Sequence, residues 1–357
     1  MKNIEILEKL ISFNTILDKE NFLIMDFVGD FLKEKGFSVS YVFNKENTKK
    51  CLIAKLRNPN LMFVGHTDTV GFNNWSFDPF KLTKDGNKLH GLGTCDMKGG
   101  IAAFISAINE IDLNKLSQGI MVALTYDEET NFEGINLIKD LQDDWPDNVI
   151  VGEPTSLIPV SNTKGCIEYK VSFKGVSAHS SRVNQGRNAI IMCMNFMKDL
   201  LLFSDELKND VNPLFETPYT TMNISLINGG RAINVVPDNC ELTFDFRTIK
   251  KNQHQLIEDK IKSLCKKYEA DLVTLTNLYP LENKEDLSFY EKITNKKKKS
   301  FNFVTEASFL NKNNVIILGV GPNNEHEKDE YINIDSYNET IEVYKKIIEY
   351  YCTKIKK

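Results

Sequence analysis

The sequence predicts an α/β protein with two domains, the larger built on a mostly parallel sheet and interrupted by the smaller. The chain has 357 residues, 41% of them hydrophobic, which is enough to bury two moderate cores. Helices alternate with short apolar strands in its first part, the pattern of parallel βαβ units. The pattern changes after residue 164. We therefore predict the larger domain at residues 1–164 and 280–357 and the inserted domain at residues 165–279.

The larger domain begins with two amphipathic helices and continues with four strands of similar character. "IEILEKLISF" and "NFLIMDFVGDFLKEKGF" have helical periodicity, and Gly36 suits the end of the second helix. The strands are "NLMFVGHTDTV", "GIMVALTYDEET", "DNVIVGEPT" and "NNVIILGVGPNNEH", and each has histidine or acidic residues at its C-terminal end. Because ligands bind at the carboxyl ends of strands in open α/β sheets, we expect these four ends to meet at one site.

The inserted segment has the pattern strand, helix, strand, strand, helix, strand. Its pieces are, in order, "GCIEYKVSFKG", "GRNAIIMCMNFMKDLLLF", "YTTMNISLING", "CELTFDFRTIK", "NQHQLIEDKIKSLCKKY" and "ADLVTLTNL". This βαββαβ order is the ferredoxin-like arrangement, a compact unit of about a hundred residues that can fold alone. The sequence therefore predicts a ferredoxin-like inserted domain.

The composition excludes several classes of protein. No apolar run reaches the roughly 20 residues that span a bilayer, and the first residues, "MKNIEILEKLISFNT", are unlike a secretory signal. We therefore expect a cytoplasmic protein without a membrane partner. The balance of 44 basic and 49 acidic residues gives no electrostatic basis for binding nucleic acid. The seven cysteines, an odd number without CxxC spacing, are expected to be reduced and mostly buried.

Two of the five histidines, His66 and His326, lie at the predicted strand ends, and Asp96, Glu129 and Glu153 accompany them. A single histidine at a strand end is more often structural, but this combination favours a metal site. Two imidazoles with carboxylates suit zinc, cobalt or manganese rather than calcium. Five ligands exceed the usual three of one open catalytic zinc site, so two metals that share one carboxylate are the economical interpretation. Paired metals activate a hydroxide and polarise a carbonyl, which predicts hydrolysis.

Five motifs follow one another along nearly the whole chain: "GHTDTV", "LHGLGTCDMKGG", "TYDEET", "GEPTSLIPV" and "EHEKDEY". In order and spacing they resemble the two-zinc aminoacylase and carboxypeptidase family. The resemblance implies a zinc-hydrolase catalytic domain with two divalent metals, zinc or cobalt. It also implies that the inserted domain serves as a lid and joins two copies of the chain in a homodimer.

The resemblance assigns each metal ligand to a position in this sequence. His66 and Glu153 are expected to bind the first metal, and Glu129 and His326 the second. Asp96 is expected to bridge the two metals and to be followed by a cis peptide bond at Asp96–Met97. Such a bond is rare before a residue other than proline.

Two acidic residues beside the ligands are expected to take part in catalysis. Asp68 would orient the His66 imidazole, as a carboxylate behind a metal ligand does, although an acid in a turn is the alternative. Glu128 would act as the general base, taking a proton from water and returning it to the leaving nitrogen. Its neighbour Asp127 has no assigned role beyond a hydrogen bond that orients the loop. On composition alone, the triplet of acids could be a solvated loop.

In the inserted domain, the resemblance assigns roles to His179, Asn234 and Arg247. His179 is expected to reach across the dimer interface and stabilise the oxyanion, although the residues alone slightly favour a capping or core histidine. Asn234 and Arg247 are expected to bind the carboxylate end of the substrate, since arginine is the natural bidentate partner of a carboxylate. His90 and His254 are expected to have structural or surface roles.

The predicted function is metal-dependent hydrolysis of an N-acyl amino acid, a small molecule. Segments such as "YDEET" and "VTEASFL" look most like those of acetylornithine deacetylases within the family, which implies a step of arginine biosynthesis. The alternatives are a succinyl-diaminopimelate desuccinylase, or a dipeptidase or carboxypeptidase of the same family. A more distant alternative is a binding protein without activity on the same fold.

Overall fold

The computed structural model describes residues 1–283 and 285–353. They divide into two units. The first consists of Met1–Ser161, Asn283–Lys299 and the chain from Thr305 onwards, and the second of Asn162–Glu282 and Ser300–Val304. The predicted larger domain also included residues 284 and 354–357, which lie outside the described residues.

Eight α-helices and fifteen strands are found among the described residues. The helices are α1 Asn3–Ile11, α2 Phe22–Glu34, α3 Lys98–Glu110, α4 Glu133–Ile138, α5 Ala189–Leu207, α6 Gln253–Tyr268, α7 Ser288–Thr294 and α8 Ile334–Cys352. The strands are β1 Ser38–Phe43, β2 Lys50–Leu56, β3 Pro59–His66, β4 Thr83–Asp85, β5 Lys88–His90, β6 Gly119–Thr125, β7 Asn148–Val151, β8 Val160–Thr163, β9 Gly165–Lys174, β10 Thr221–Gly229, β11 Asn239–Thr248, β12 Ala270–Leu278, β13 Lys299–Phe301, β14 Asn314–Ile317 and β15 Tyr331–Asn333.

The largest sheet has eight strands in the order β1-β2-β6-β3-β7-β14-β8-β13. Its central strands β6, β3, β7 and β14 are parallel to one another, whereas β1 and β2 pair antiparallel at one side. Every residue of β6 and β14 is buried, as expected for parallel strands that are covered on both faces. The mixed α/β fold with a mainly parallel central sheet, predicted from the sequence, is confirmed.

Helices α3 and α8 pack against the central sheet and against each other. Phe63 of β3 stacks on Phe104 of α3, with ring centroids 4.4 Å apart, and meets the edge of Tyr344 of α8 at 5.9 Å. The first turn of α3 approaches the end of β7 so closely that a Cβ atom on Gly100 would lie 2.3 Å from the carbonyl oxygen of Gly152. Only glycine fits there, and the contact fixes where α3 begins relative to the strand ends.

The second unit contains β9, α5, β10, β11, α6 and β12 in chain order, and its four antiparallel strands are arranged β10-β11-β9-β12. Buried and less buried residues alternate along β11, the pattern of a sheet that is covered on one face. The buried face includes Phe244 and Phe246, and Phe196 of α5 packs with them. This core is separate from that of the first unit.

A third, smaller sheet contains the strands β15, β5 and β4 in that order, with Tyr331 opposite His90.

The seven cysteines are all free and buried, as the sequence predicts. In residues 1–283 and 285–353, no helix is long and apolar enough to cross a membrane.

Candidate metal centre

The four central parallel strands bring their carboxyl ends to one edge of the sheet. His66 is the last residue of β3, and Glu153 lies two residues beyond β7. Glu128 and Glu129 follow the end of β6, and His326 follows β14 after a longer loop. Because adjacent parallel strands end at the same edge, residues far apart in the sequence become neighbours here.

The first group that could hold a metal ion consists of His66, Asp96 and Glu153. The Nε2 atom of the buried His66 ring lies 3.0 Å from Asp96 Oδ1 and 3.7 Å from Glu153 Oε2. The other oxygen of Glu153, Oε1, is buried without a hydrogen-bond partner among the described residues. A buried carboxylate oxygen without a partner is costly, and a bound cation would satisfy it.

The second group consists of Asp96, Glu129 and His326. The Nε2 atom of His326 lies 3.0 Å from Glu129 Oε1 and 3.4 Å from Asp96 Oδ2. The two oxygens of Asp96 therefore face two different imidazoles, and Asp96 is common to both groups. The peptide bond between Asp96 and Met97 is cis, as the resemblance implies.

Asp68 contacts a residue of each group. The Nδ1 atom of His66 lies 3.1 Å from the backbone oxygen of Asp68 and 3.4 Å from its carboxylate Oδ1. Since both neighbours are acceptors, Nδ1 carries a proton, and Nε2 would then be the nitrogen that binds a metal. The other carboxylate oxygen, Oδ2, accepts from the backbone N–H of Glu129 at 3.1 Å. Asp68 thus contacts a ligand of each group.

The site holds more negative charge than its own protein groups neutralise. Burial raises the pKa of Glu153 to about 8, and the charge of Asp96 adds to the effect. Burial also raises the pKa of Glu128 well above its usual range, with contributions from Glu153 and Asp96. Hydrogen bonds that the His326 ring donates to Asp96 and Glu129 raise the pKa of His326 to about 10. Such a cluster attracts positive charge, and divalent cations would provide it. The donor set of imidazole nitrogens and carboxylate oxygens fits them.

Asp127 organises the turn that carries Glu128 and Glu129. It has a left-handed backbone, with φ of 58°, and its carbonyl oxygen accepts from the N–H of Phe132 at 2.7 Å. Its carboxylate accepts from the Lys49 ammonium group. This agrees with the predicted loop-orienting hydrogen bond. The sequence did not point to Lys49, which lies 78 positions away from Asp127.

Glu330 is a further residue of this site that the sequence left unassigned. It is buried, and its carboxylate accepts from the backbone N–H groups of Gly93 at 2.9 Å, Cys95 at 2.6 Å and Asp96 at 3.0 Å. Its presence in the motif "EHEKDEY" was the only signal in the sequence.

In the second unit, His179 and Asn234 lie close together. The backbone N–H of Ser180 donates to the Asn234 carbonyl at 3.0 Å, and both His179 and Asn234 are exposed. The Nδ1 atom of His179 accepts from the backbone N–H of Ser181 at 3.2 Å. Nδ1 therefore has no proton in the neutral ring, and the proton is on Nε2, which is a hydrogen-bond donor.

Arg247 lies elsewhere in the second unit. Its Nε donates to Asp245 Oδ1 at 3.0 Å. Asn239, at the start of β11, pairs with Lys174, whereas Arg247 pairs with Cys166 near the other end. Eight residues of extended strand span about 27 Å. Arg247 therefore lies far along β11 from Asn239, the end of the strand that is nearer to Asn234 in the chain.

The two remaining histidines have structural environments. His90 Nδ1 lies 2.8 Å from the carbonyl oxygen of Asp329, and its ring stacks on Phe77 with centroids 4.3 Å apart. His254 is buried, and its two ring nitrogens lie 2.8 Å from Thr248 Oγ1 and 2.8 Å from Asn277 Oδ1. Neither histidine belongs to a group that could hold a metal among the described residues.

A family model described as "Peptidase family M20/M25/M40" matches residues 62–350. The chain belongs to this family. This match confirms the family membership that the five motifs predicted.

Among curated M20/M25/M40 relatives, the acetylornithine deacetylase of Photorhabdus laumondii is 33% identical, and the match covers 98% of this chain and 97% of that protein. The acetylornithine deacetylase of Buchnera aphidicola subsp. Schizaphis graminum is 34% identical, with 98% of both chains covered. Family membership and these relatives identify the chain as a metal-dependent hydrolase that acts on amide bonds.

Solved structures share the fold. The aminopeptidase PepT from Bacillus cereus has a TM-score of 0.79 at 17% identity, and the match covers 98% of this chain and 97% of that one. The Bacillus subtilis YXEP protein, described as a dinuclear metal binding peptidase of the M20 family, has a TM-score of 0.68 at 13% identity, with 97% of both chains covered.

Proposed function

We propose that the chain removes the acyl group from an N-acyl amino acid, with N-acetylornithine as substrate and ornithine and acetate as products. Curated relatives that are named acetylornithine deacetylase and match almost the whole chain support this choice of substrate. The observation that carries the proposal is the Asp96 carboxylate, whose two oxygens face the imidazoles of His66 and His326. This is the arrangement expected of a ligand shared by two metals.

The residues of both groups fit two divalent cations, with zinc as the expected ion and cobalt as a substitute. His66, Asp96 and Glu153 would hold one cation, and Asp96, Glu129 and His326 the other. When bound, the cations would polarise the substrate carbonyl and favour ionisation of the attacking water. Asp68 would keep the His66 lone pair directed at the first cation.

Proton transfer, stabilisation of the oxyanion and substrate binding are assigned to side chains. Glu128 would accept the proton of the attacking water and deliver it to the leaving nitrogen. His179 would donate from Nε2 to the oxyanion, because its Nδ1 is occupied as an acceptor. Asn234 and Arg247 would bind the carboxylate end of the substrate, Arg247 through its guanidinium group.

The separation of these residues supports a homodimer. His179 and Asn234 lie close together, whereas Arg247 lies far along β11 from Asn239. If all three contact one substrate, we expect them to come from two copies of the chain. We therefore assign the second unit as the ferredoxin-like lid and dimerisation domain of a homodimer.

The surface of the second unit is consistent with such an association. Strand β10 is at the edge of its sheet, and it lies near α5 in the same unit. Both elements expose large apolar side chains, which mark association surfaces when they are contiguous. These side chains are Ile191, Met194, Leu201 and Leu202 of α5 and Leu226 and Ile227 of β10.

The substrate is tested with purified chain loaded with zinc or cobalt. N-acetylornithine, N-succinyl-diaminopimelate, N-acetylcitrulline and a few dipeptides are compared by kcat/KM. We expect N-acetylornithine to be the best substrate, chelation to abolish hydrolysis and added metal to restore it. A higher kcat/KM for the succinylated compound or a dipeptide would replace the proposed substrate, and full activity without metal would refute the mechanism.

The dimer is tested by complementation between His179→Ala and Glu128→Gln protomers. In a hybrid dimer, one of the two sites would combine an intact Glu128 from one chain with an intact His179 from the other. The mixture should recover part of the wild-type activity, although each variant alone is impaired. Mass measurement of differently tagged protomers must first establish that hybrids form. No recovery in confirmed hybrids would mean that His179 acts within its own chain or only structurally.

A further inference from the structure

Glu330 contacts the backbone of the loop that leads into α3. One carboxylate oxygen accepts from Gly93 N–H, and the other accepts from both Cys95 and Asp96 N–H, with distances of 2.6 to 3.0 Å. Three N–H groups within four residues thus converge on one buried carboxylate, as in the backbone nests that bind anions. Hydrogen bonds to a charged acceptor are stronger than those between neutral groups.

These hydrogen bonds fix the segment from which the Asp96 side chain extends. Asp96 lies two residues before α3 begins at Lys98, so the Glu330 contact and the helix start hold it from both sides. Its two oxygens must face His66 and His326 at once, which leaves little room for backbone movement. A misplacement of about 1 Å in an active site can cost on the order of 10²-fold in rate.

Glu330 also belongs to the segment that carries His326. It lies four residues after that histidine, and its own carbonyl oxygen accepts from Gly91 N–H at 3.2 Å. The preceding residue, Asp329, accepts from the backbone N–H of Ser76 at 2.6 Å. The segment 326–330 therefore supplies a member of the second group and contacts the loop that supplies Asp96.

We propose that Glu330 is a positioning residue that holds Asp96 in its shared orientation and thereby couples the two metal sites. The proposal rests on the proposed role of Asp96 as the ligand common to both sites. Glu330 acts through the backbone of Asp96 and contacts no reacting atom. It follows that loss of the Glu330 carboxylate should disturb both sites, even when the metal is saturating.

The test compares Glu330→Gln with Asp329→Asn in the full chain loaded with Co²⁺. Glutamine keeps the size of the side chain but places an amide NH₂ against backbone N–H donors. Asparagine at 329 keeps an acceptor for Ser76 N–H and removes the neighbouring charge, so it is a matched control. Cobalt affinity, the visible cobalt spectrum at saturation, kcat and Tm are measured for each variant.

For Glu330→Gln we expect a 10- to 100-fold loss of cobalt affinity or kcat, the usual effect of removing a residue behind a metal ligand. The cobalt spectrum at saturation should also change, whereas Asp329→Asn should stay within about twofold of wild type with an unchanged spectrum. A Glu330→Gln chain with wild-type spectrum, affinity and kcat would overturn the proposal. So would a lower Tm with an unchanged spectrum, because that indicates a purely structural role.

Should Glu330→Gln fail to fold, Glu330→Asp takes its place, since it retains the charge and both oxygens on a shorter side chain. The proposal then requires a folded chain with an altered cobalt spectrum, and an unaltered spectrum would overturn it. Wild-type chain that binds no cobalt would refute the assigned metal ligands as well. Two bound cobalt ions in wild type, with no effect of either Glu330 variant, would refute the role of Glu330 alone.

Discussion

Replacing Glu128 by glutamine should separate the chemical step from metal binding. The substitution keeps the shape of the side chain and removes its ability to accept a proton. A positioned general base contributes about 10²–10⁴-fold to the rate, which corresponds to about 2.7–5.4 kcal/mol at 1.36 kcal/mol per tenfold. The proposed ligands keep their contacts in this variant, including the 3.0 Å approach of Glu129 to His326. We therefore expect kcat to fall by at least 10²-fold with nearly unchanged metal content.

The neighbouring Glu129→Gln variant is the matched control, because it makes the same chemical change one residue away. Glu129 Oε1 faces His326 Nε2 in the second group. The main effect of this variant should therefore be weaker metal binding, and the kcat of the metal-loaded enzyme should fall less. Metal content is measured by elemental analysis, and kcat with N-acetylornithine at saturating metal. If Glu128→Gln loses metal first and Glu129→Gln keeps it, the roles of the two residues are reversed.

Three further changes test other parts of the structure. Asp96→Asn leaves one neutral amide oxygen as the acceptor for two sites, so the metal bound should fall from two ions per chain towards one. Retention of two ions at wild-type affinity would contradict the sharing. Burial lowers the pKa of His254, so the unfolded state takes up a proton first as the pH falls below about 6.5. The free energy of unfolding should therefore decrease on acidification because of His254, by at most about 1.36 kcal/mol per pH unit. The Tm of the His254→Asn variant should fall less than that of wild type between pH 7 and pH 5. An equal fall of Tm would refute the contribution of His254. Gly100→Ala should lower the free energy of unfolding by about 1–3 kcal/mol, because the added Cβ atom meets Gly152. Gly71 has open space around it, so Gly71→Ala should leave Tm unchanged. Equal effects of the two substitutions would contradict the close approach of Gly100 to Gly152.

The central sheet and the meeting of its polar strand ends at one site were predictable because they follow from local patterns. Apolar runs that end in His66 or precede Glu129 and Glu153 indicate strands with polar C-terminal ends. The geometry of parallel sheets then brings those ends together. The count of five ligands against the three that one open site uses predicted two metals with one shared carboxylate, and the resemblance to the two-zinc family assigned that role to Asp96.

Other features depend on contacts that no local pattern records. Glu330 binds backbone N–H groups more than 230 positions away, and backbone donors leave no trace in the side-chain sequence. Lys49 and Asp127 meet through their side chains across 78 positions of the chain, and no local pattern links the two residues.

The burial of all seven cysteines makes the natural chain a convenient background for chemical labelling. Burial raises the pKa of the Cys166 and Cys193 thiols to about 12, so little of the reactive thiolate forms at neutral pH. A cysteine introduced at a surface position would therefore be the main target of a maleimide dye. One such position in each unit provides a pair of dyes whose energy transfer reports the distance between the units. Changes in that distance on addition of substrate could then be followed without removing any native residue.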